Sequence, residues 1–484
     1  MTRWFHRVDL AHSEEATITR KGILSTASVG VQGIVRFAYS ILIGRALTPA
    51  VLAATNAGIS LALFVSLLWP TATSSATAKF IARSRGAGDD ALAGRIATHL
   101  GRITLLSALV LSVPAGAFAY FFQDRHEWLT SALVMLLVLA WSGYTFVRGI
   151  YFAIGQIGRA LIWDALSAAA AISLLVCVLL LGWTELLLLP LGLGYLIYAL
   201  AGWPRRSVGP TLPATLRAEM NGFVRWTVLG SLASTGFLQL TMIIAQGVGT
   251  GFEAGMYAAA LTLATPASML ARSFSLVLFP SMAQATGRND LASVRRQTDL
   301  ATQGIVAVMG ALFGALILVS GPLIELAYGS RYANAGQILP ILLAASLFMI
   351  LNVAASNSLS TGSRVRIPAL LSLVGLAVGL LGMVILIPGF GVEGVAWSYL
   401  AGTIVIGFGP IVFVWRRERM RWTGLWLRFL AGLALVVALL LVKDAIAGGL
   451  LADVVSVFVF LAAWFLLMRP QLAALNSARK PGLR

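Results

Sequence analysis

Long apolar stretches follow one another along this chain, separated by short polar segments. A helix needs about 20 apolar residues to cross roughly 30 Å of hydrocarbon. Fourteen stretches of that kind can be laid down: residues 22–46, 51–74, 96–121, 128–154, 160–183, 185–203, 222–249, 253–280, 300–321, 337–361, 367–388, 391–415, 424–442 and 447–468. The pattern predicts an all-α integral membrane protein with fourteen transmembrane helices.

The pattern also repeats. Span two ends in Leu68, Trp69, Pro70 and Thr71, followed by Ser84-Arg-Gly-Ala-Gly-Asp-Asp90; span eight ends in Leu278, Phe279, Pro280 and Ser281, followed by Thr286-Gly-Arg-Asn-Asp290. Pro70 and Pro280 are 210 positions apart, and Gly155-Gln-Ile-Gly-Arg159 and Gly362-Ser-Arg-Val-Arg366 stand at nearly the same separation. Spans 1–6 and 7–12 therefore read as two six-helix lobes in parallel orientation around a central cleft, an arrangement used by transporters. The expected divisions are a cytoplasmic tail over 1–21, an N-lobe over 22–203, a linker over 204–221, a C-lobe over 222–415, two further helices within 424–468 and a cytoplasmic tail over 469–484. Pro204, Pro210 and Pro213 mark the linker, because proline and charge do not continue a span.

Composition agrees: 59% of the 484 residues are hydrophobic and 11% charged, against about 25% charged in a soluble domain. The net charge of +17 would suggest nucleic acid in a soluble protein. Here the cations sit mainly in the termini and in the loops after even-numbered spans, whereas the loops after odd-numbered spans hold Arg45, Arg125, Arg331 and Lys443. The positive-inside rule then predicts both termini in the cytoplasm, with the excess charge facing anionic lipid headgroups. Cys177 is the only cysteine, which excludes an internal disulfide. His6, His12, His99 and His126 have no ligand spacing, so neither metal nor cofactor is expected. Trp128, Trp163, Trp183, Trp203, Trp415, Trp422 and Trp426 fall at span ends and read as interfacial belts. Pro114, Pro190 and Pro340 are candidate bending points.

Charges inside spans carry the candidate chemistry, because intramembrane ionisable groups are costly and face a bundle interior or a wet cavity. Arg36 lies in span one, flanked by Gly33, Ala38 and Ser40, and Arg272 lies in span eight, six residues after Pro266. Arginine suits a phosphate, since its planar fork donates two hydrogen bonds; the alternative for Arg36 is pairing with backbone carbonyls or with Asp164. Arg102 and Arg225 lie near span ends and can snorkel to the interface. Asp164 can pair with a cavity arginine, carry a proton or cap an interface. Asp453 is the other acid within a span.

Arg45-Ala-Leu-Thr-Pro49, Arg148-Gly-Ile-Tyr-Phe-Ala-Ile-Gly-Gln-Ile-Gly-Arg159, Leu278-Phe-Pro280, Tyr328-Gly-Ser-Arg-Tyr332 and Ile387-Pro-Gly-Phe-Gly-Val-Glu-Gly394 together resemble the polysaccharide transporter family. These are O-antigen-type flippases of the multidrug, oligosaccharidyl-lipid and polysaccharide exporter superfamily. The resemblance runs through spans 1–12. It implies translocation of a polyprenyl-diphosphate-linked oligosaccharide from the inner to the outer leaflet of a bacterial-type inner membrane by alternating access. It also implies glycosyltransferases and a polymerase of the same pathway as partners, beside membrane lipids. The chain departs from the family in span seven, where an acid is often found and Gln239-Leu-Thr-Met-Ile stands here.

The leading expectation is a flippase whose cationic cavity, formed by Arg36 and Arg272, binds the diphosphate-sugar head. The alternative is an ion-coupled small-molecule exporter of the same superfamily, which calls for cavity carboxylates. An enzyme is not expected: outer loops are a few residues long, and no Gly-x-x-x-x-Gly-Lys run is present. With single cysteines on a Cys177→Ala background, an impermeant thiol reagent added outside labels positions 124 and 331 strongly and positions 86 and 419 not at all; the reverse pattern overturns this topology.

Overall fold

The computed structural model describes residues 18–122, 127–204, 207, 210–361, 366–446 and 449–478. All the regular structure among them is helical. The helices are α1 (Ile18–Ala46), α2 (Pro49–Leu67), α3 (Pro70–Gly86), α4 (Asp90–Phe122), α5 (Trp128–Ala153), α6 (Ile157–Leu180), α7 (Leu189–Gly202), α8 (Ala214–Ser231), α9 (Phe237–Val248), α10 (Gly251–Gly287), α11 (Leu291–Leu318), α12 (Ser320–Tyr328), α13 (Ala335–Leu351), α14 (Val353–Thr361), α15 (Arg366–Arg417), α16 (Thr423–Ile446) and α17 (Leu450–Ala478).

Among the described residues, eleven helical runs are long and apolar enough to cross a membrane. Run α15 holds two of the expected spans, joined at Gly391, whose φ of 53° and ψ of −129° take the chain out of helix. Positive φ costs a residue with a Cβ and costs glycine little, so the joint falls there. Leu180, Val384, Ile385, Leu451 and Phe458 are each at least 70% exposed. An apolar exterior of this kind suits lipid contact.

Several expected spans are interrupted, and span ten divides at Asn352 between α13 and α14. Span two stops at Leu67 and restarts at Pro70, because proline has no N–H to give and suits a helix start. The second piece, α3, runs to Gly86, well into the region read as a loop, since Ala72, Ala76, Phe80 and Ile81 find burial. Span seven contains a π-helical turn at Leu232–Gly236 between α8 and α9. Pro190 occupies the first turn of α7, where no helical hydrogen bond is lost, so it starts that helix instead of bending it.

The chain forms two compact units, Met1–Gly255 and Met256–Arg484. In the first, α5 packs against α2, α3, α4, α6 and α7, α1 lies on α6 and α2, α8 on α3, and α9 on α2. In the second, α11 packs against α13, α16 and α17, and α13 against α15. The seam under α16 and α17 is specific. Trp464 donates to the Ala307 carbonyl at 2.8 Å, and a Cβ at Gly310 or Gly432 would overlap its indole ring. Lys443 meets Asp453 at 2.5 Å and donates to the Leu318 carbonyl at 3.1 Å, tying α16, α17 and α11. Trp422 and Trp426 are buried among helices, and Trp422 donates to Asp299 Oδ1 at 2.7 Å.

Candidate functional site

Arg148 sits on α5 one and a half turns before that helix ends, and Asp164 sits two turns into α6. The two helices are joined by a short connection through Gly155, whose φ of 77° lets the chain reverse. They bring the two charges into the interior of the first unit, at 6% and 4% exposure. Arg148 Nε lies 3.6 Å from Asp164 Oδ2. Its Nη2 donates to Ser28 Oγ at 2.8 Å and its Nη1 to Gln32 Oε1 at 3.1 Å. Ser28 Oγ donates to Asp164 Oδ2 at 2.5 Å, and the Tyr144 hydroxyl donates to Asp164 Oδ1 at 2.7 Å. Each carboxylate oxygen therefore accepts a hydrogen bond, and Oδ2 also faces the guanidinium, which lowers the cost of burying the pair.

Aromatic rings wall this network. The Tyr144 ring lies 4.9 Å from Tyr195 and 4.6 Å from Tyr198 on α7, and Trp141 stacks on Tyr144 at 5.3 Å. The Phe152 ring centroid is 5.2 Å from the Arg148 guanidinium carbon, within cation–π range. These low-dielectric walls strengthen the pair.

Arg36 occupies a different niche on α1. It lines a cavity of about 10 Å³ with Tyr39, Ser40, Thr55, Asn56 and Leu191. A second cavity of about 10 Å³ is lined by Gln32, Tyr144, Asp164, Tyr195 and Leu191. Each is of the size that holds one water molecule. Leu191 lines both, while Thr55 joins the Arg36 cavity to a larger one of about 280 Å³ lined by Glu127, Glu185, Thr130, Thr184 and Gln246. Carboxylates at that wider cavity repel an anion, so among these cavities an anionic group is favoured only beside Arg36.

The expected site residues thus separate. The carboxylate of Asp164 is taken by Arg148, which removes it as the partner of Arg36. Arg36 makes no hydrogen bond or ion pair among the described residues. Arg102 on α4 and Arg225 on α8 are exposed, as snorkelling side chains are. Arg272 lies on α10, and its side chain falls outside the described residues. Arg148 belongs to the Arg148–Arg159 motif and was not among the expected site residues. The signal for its role lay in span one, where Ser28 and Gln32 stand at helical spacing as polar groups that need buried partners.

The fold is that of transporters of the multidrug, oligosaccharidyl-lipid and polysaccharide superfamily. The chain is similar to a lipid II flippase MurJ in an inward closed conformation, at a TM-score of 0.68 and 14% identity over 92% of this chain and 98% of the other. It is also similar to a superfamily transporter from Pyrococcus furiosus, described as having a binding pocket of reverse polarity, at a TM-score of 0.61 and 16% identity over 85% and 96%. A multidrug resistance transporter of the same superfamily in an inward-facing conformation gives 0.59 and 15% over 80% and 98%. No curated protein matches the sequence. The model of the lipid II flippase MurJ family matches residues 53–466, and the chain belongs to that family. It thereby falls in a branch related to the O-antigen-type family that its motifs resemble, within the same superfamily.

The two arginines differ in what their removal leaves behind. Arg148→Ala strands a buried carboxylate and is expected to cost about 3–5 kcal/mol, whereas Arg36→Ala removes an unpaired intramembrane charge and is expected to leave stability unchanged or raised. Thermal unfolding of the two purified variants, side by side in one detergent, checks the difference.

Proposed function

We propose that this protein is a flippase that carries the polar head of a polyprenyl-diphosphate-linked glycan precursor from the cytoplasmic to the outer leaflet of a bacterial inner membrane, with Arg36 and Arg272 as the cations that receive the diphosphate. The observation that carries this reading is Arg36: a cation on a membrane-spanning helix, beside a small cavity, without an acidic partner among the described residues. An unanswered charge in that place is costly unless a ligand of opposite sign completes it.

The family name gives lipid II as the first substrate to test. The work required is to lower the barrier for a polar head while the chain of the lipid stays in hydrocarbon, and no bond is made or broken. With both termini cytoplasmic, an inside-negative potential drives an anion outward by about 2.3 kcal/mol per charge per 100 mV. Movement of the head then follows an exchange of access between two lobes. The alternative, export of a small cation in exchange for ions, calls for a carboxylate in the path: Asp164 is matched by Arg148, Ser28 and Tyr144, Glu127 and Glu185 line the wider cavity, and the flippase reading is preferred for Arg36 and for the family to which the chain belongs.

The test is transport of lipid II into the outer leaflet of proteoliposomes under an imposed potential, at equal amounts of inserted protein. Arg36→Ala and Arg272→Ala are each expected to abolish transport. Lysine at either place keeps the charge but loses the paired donors, and retains part of the rate. Wild-type transport by the double alanine variant overturns the cationic site.

A further inference from the structure

Run α15 closes, on the side expected to face the cytoplasm, in a turn built from arginines. The Glu418 N–H donates to the Val414 carbonyl at 2.9 Å and the Met420 N–H to the Trp415 carbonyl at 3.1 Å, while Arg419 between them takes a φ of 48°. Helices satisfy their last carbonyls in this way, with glycine the usual residue at the left-handed position. A residue with a Cβ is disfavoured there, and its strain persists where the surroundings over-determine the turn. Here they do. Arg295 on α11 donates to the Arg419 carbonyl at 3.3 Å, Trp422 donates to Asp299, and the Met420 and Trp422 side chains are buried. The turn is anchored inward at these points, and Arg416, Arg417, Arg419 and Arg421 are left exposed.

The neighbouring acids are already engaged. Asp299 Oδ1 accepts from Trp422 and from Gln303 Nε2 at 3.0 Å, and Glu418 stands 3.7 Å from Arg417. Arg419, Arg421 and Arg428 have no acidic partner among the described residues. Arg428 lies five residues into α16, and its Nη1 comes within 3.9 Å of the place a Cβ would take at Gly424. The side chain therefore reaches back a turn towards the start of its helix, as a snorkelling cation does. On the same part of α16, Leu427 and Leu430 are 63% and 56% exposed, apolar surface suited to lipid contact. Unpaired cations at the end of a span, with exposed leucines just inside it, match the two parts of one molecule: a phosphate head and its acyl chains.

We propose that the α15–α16 turn is a binding site for the phosphate head of an anionic glycerophospholipid, with Arg419 and Arg421 donating from the turn and Arg428 from within the span. The planar guanidinium donates two hydrogen bonds at once to phosphate oxygens. Any cluster of cations at the end of a span attracts anionic headgroups. This turn adds a backbone fixed by its cap, by Arg295 and by Trp422, so part of the ordering cost of binding is met before the lipid arrives. The site lies within the second unit and is independent of Arg36 and of the cargo.

The probe is phosphatidylglycerol, titrated onto the full-length protein in detergent, with binding of the first lipid read by native mass spectrometry and phosphatidylcholine as the reference. Wild type is expected to prefer phosphatidylglycerol by at least about tenfold, and Arg421→Gln and Arg428→Gln each to weaken its binding about fivefold, the worth of one arginine at an anionic surface. Arg419→Gly separates the site from the fold: binding weakens by a similar factor while the thermal midpoint is unchanged or raised, because glycine suits the left-handed position. Arg159→Gln/Arg217→Gln, which removes two exposed arginines of the first unit, is expected to stay within about twofold of wild type. Equal weakening in that control reduces the effect to general charge attraction and overturns the site, as does wild-type binding in Arg419→Gly/Arg421→Gln/Arg428→Gln. Displacement of the lipid by an equal concentration of inorganic phosphate overturns the assignment to a lipid. If the glutamine variants do not insert, the Arg419→Gly measurement decides by itself.

Discussion

A charge inside a bilayer has to be answered, and in the first unit the answer to most of the buried charge is a single ion pair. Arg148 and Asp164 neutralise one another between α5 and α6, and they hydrogen-bond to Ser28 and Gln32 of α1 and Tyr144 of α5, with the Arg148 Nε–H left facing Oδ2 at 3.6 Å without a hydrogen bond. Lipid tails are as apolar as leucine, so the hydrophobic effect does little to choose which helix faces meet inside a membrane. Directional polar contacts and close-packed small residues make that choice. The second unit obeys the same rule at its own seam, where the Lys443–Asp453 pair and the Trp464 indole over Gly310 and Gly432 hold α16 and α17 against α11.

Helix positions were legible in the sequence because a span is set by the thickness of hydrocarbon. The expected span 128–154 became Trp128–Ala153, and 160–183 became Ile157–Leu180. Breaks were less legible. The π-helical turn at Leu232–Gly236 leaves hydropathy unchanged, and the restart at Pro70 was read as a span end when it was the start of a buried helix. The burial of Trp422 and Trp426 was missed for a similar reason: a tryptophan at a span end reads the same whether it faces headgroups or a neighbouring helix.

The candidate site was legible by residue and not by partner. Arg36 and Asp164 stood out because ionisable residues within spans are few, but hydropathy carries no information on pairing. Asp164 went to Arg148, a residue near a span end, and Arg36 has no partner among the described residues. Fold similarity at 14–16% identity shows the architecture and says little about cargo, since one fold serves many functions. The proposal of an anionic cargo rests on Arg36 and on the family to which the chain belongs.

The most direct measurement is a structure by electron cryomicroscopy of the protein in nanodiscs with lipid II bound. The account predicts diphosphate oxygens within hydrogen-bonding distance of the Arg36 guanidinium, with Arg148 still on Asp164. A diphosphate bound away from Arg36, with Arg36 turned onto a protein carboxylate, would contradict it.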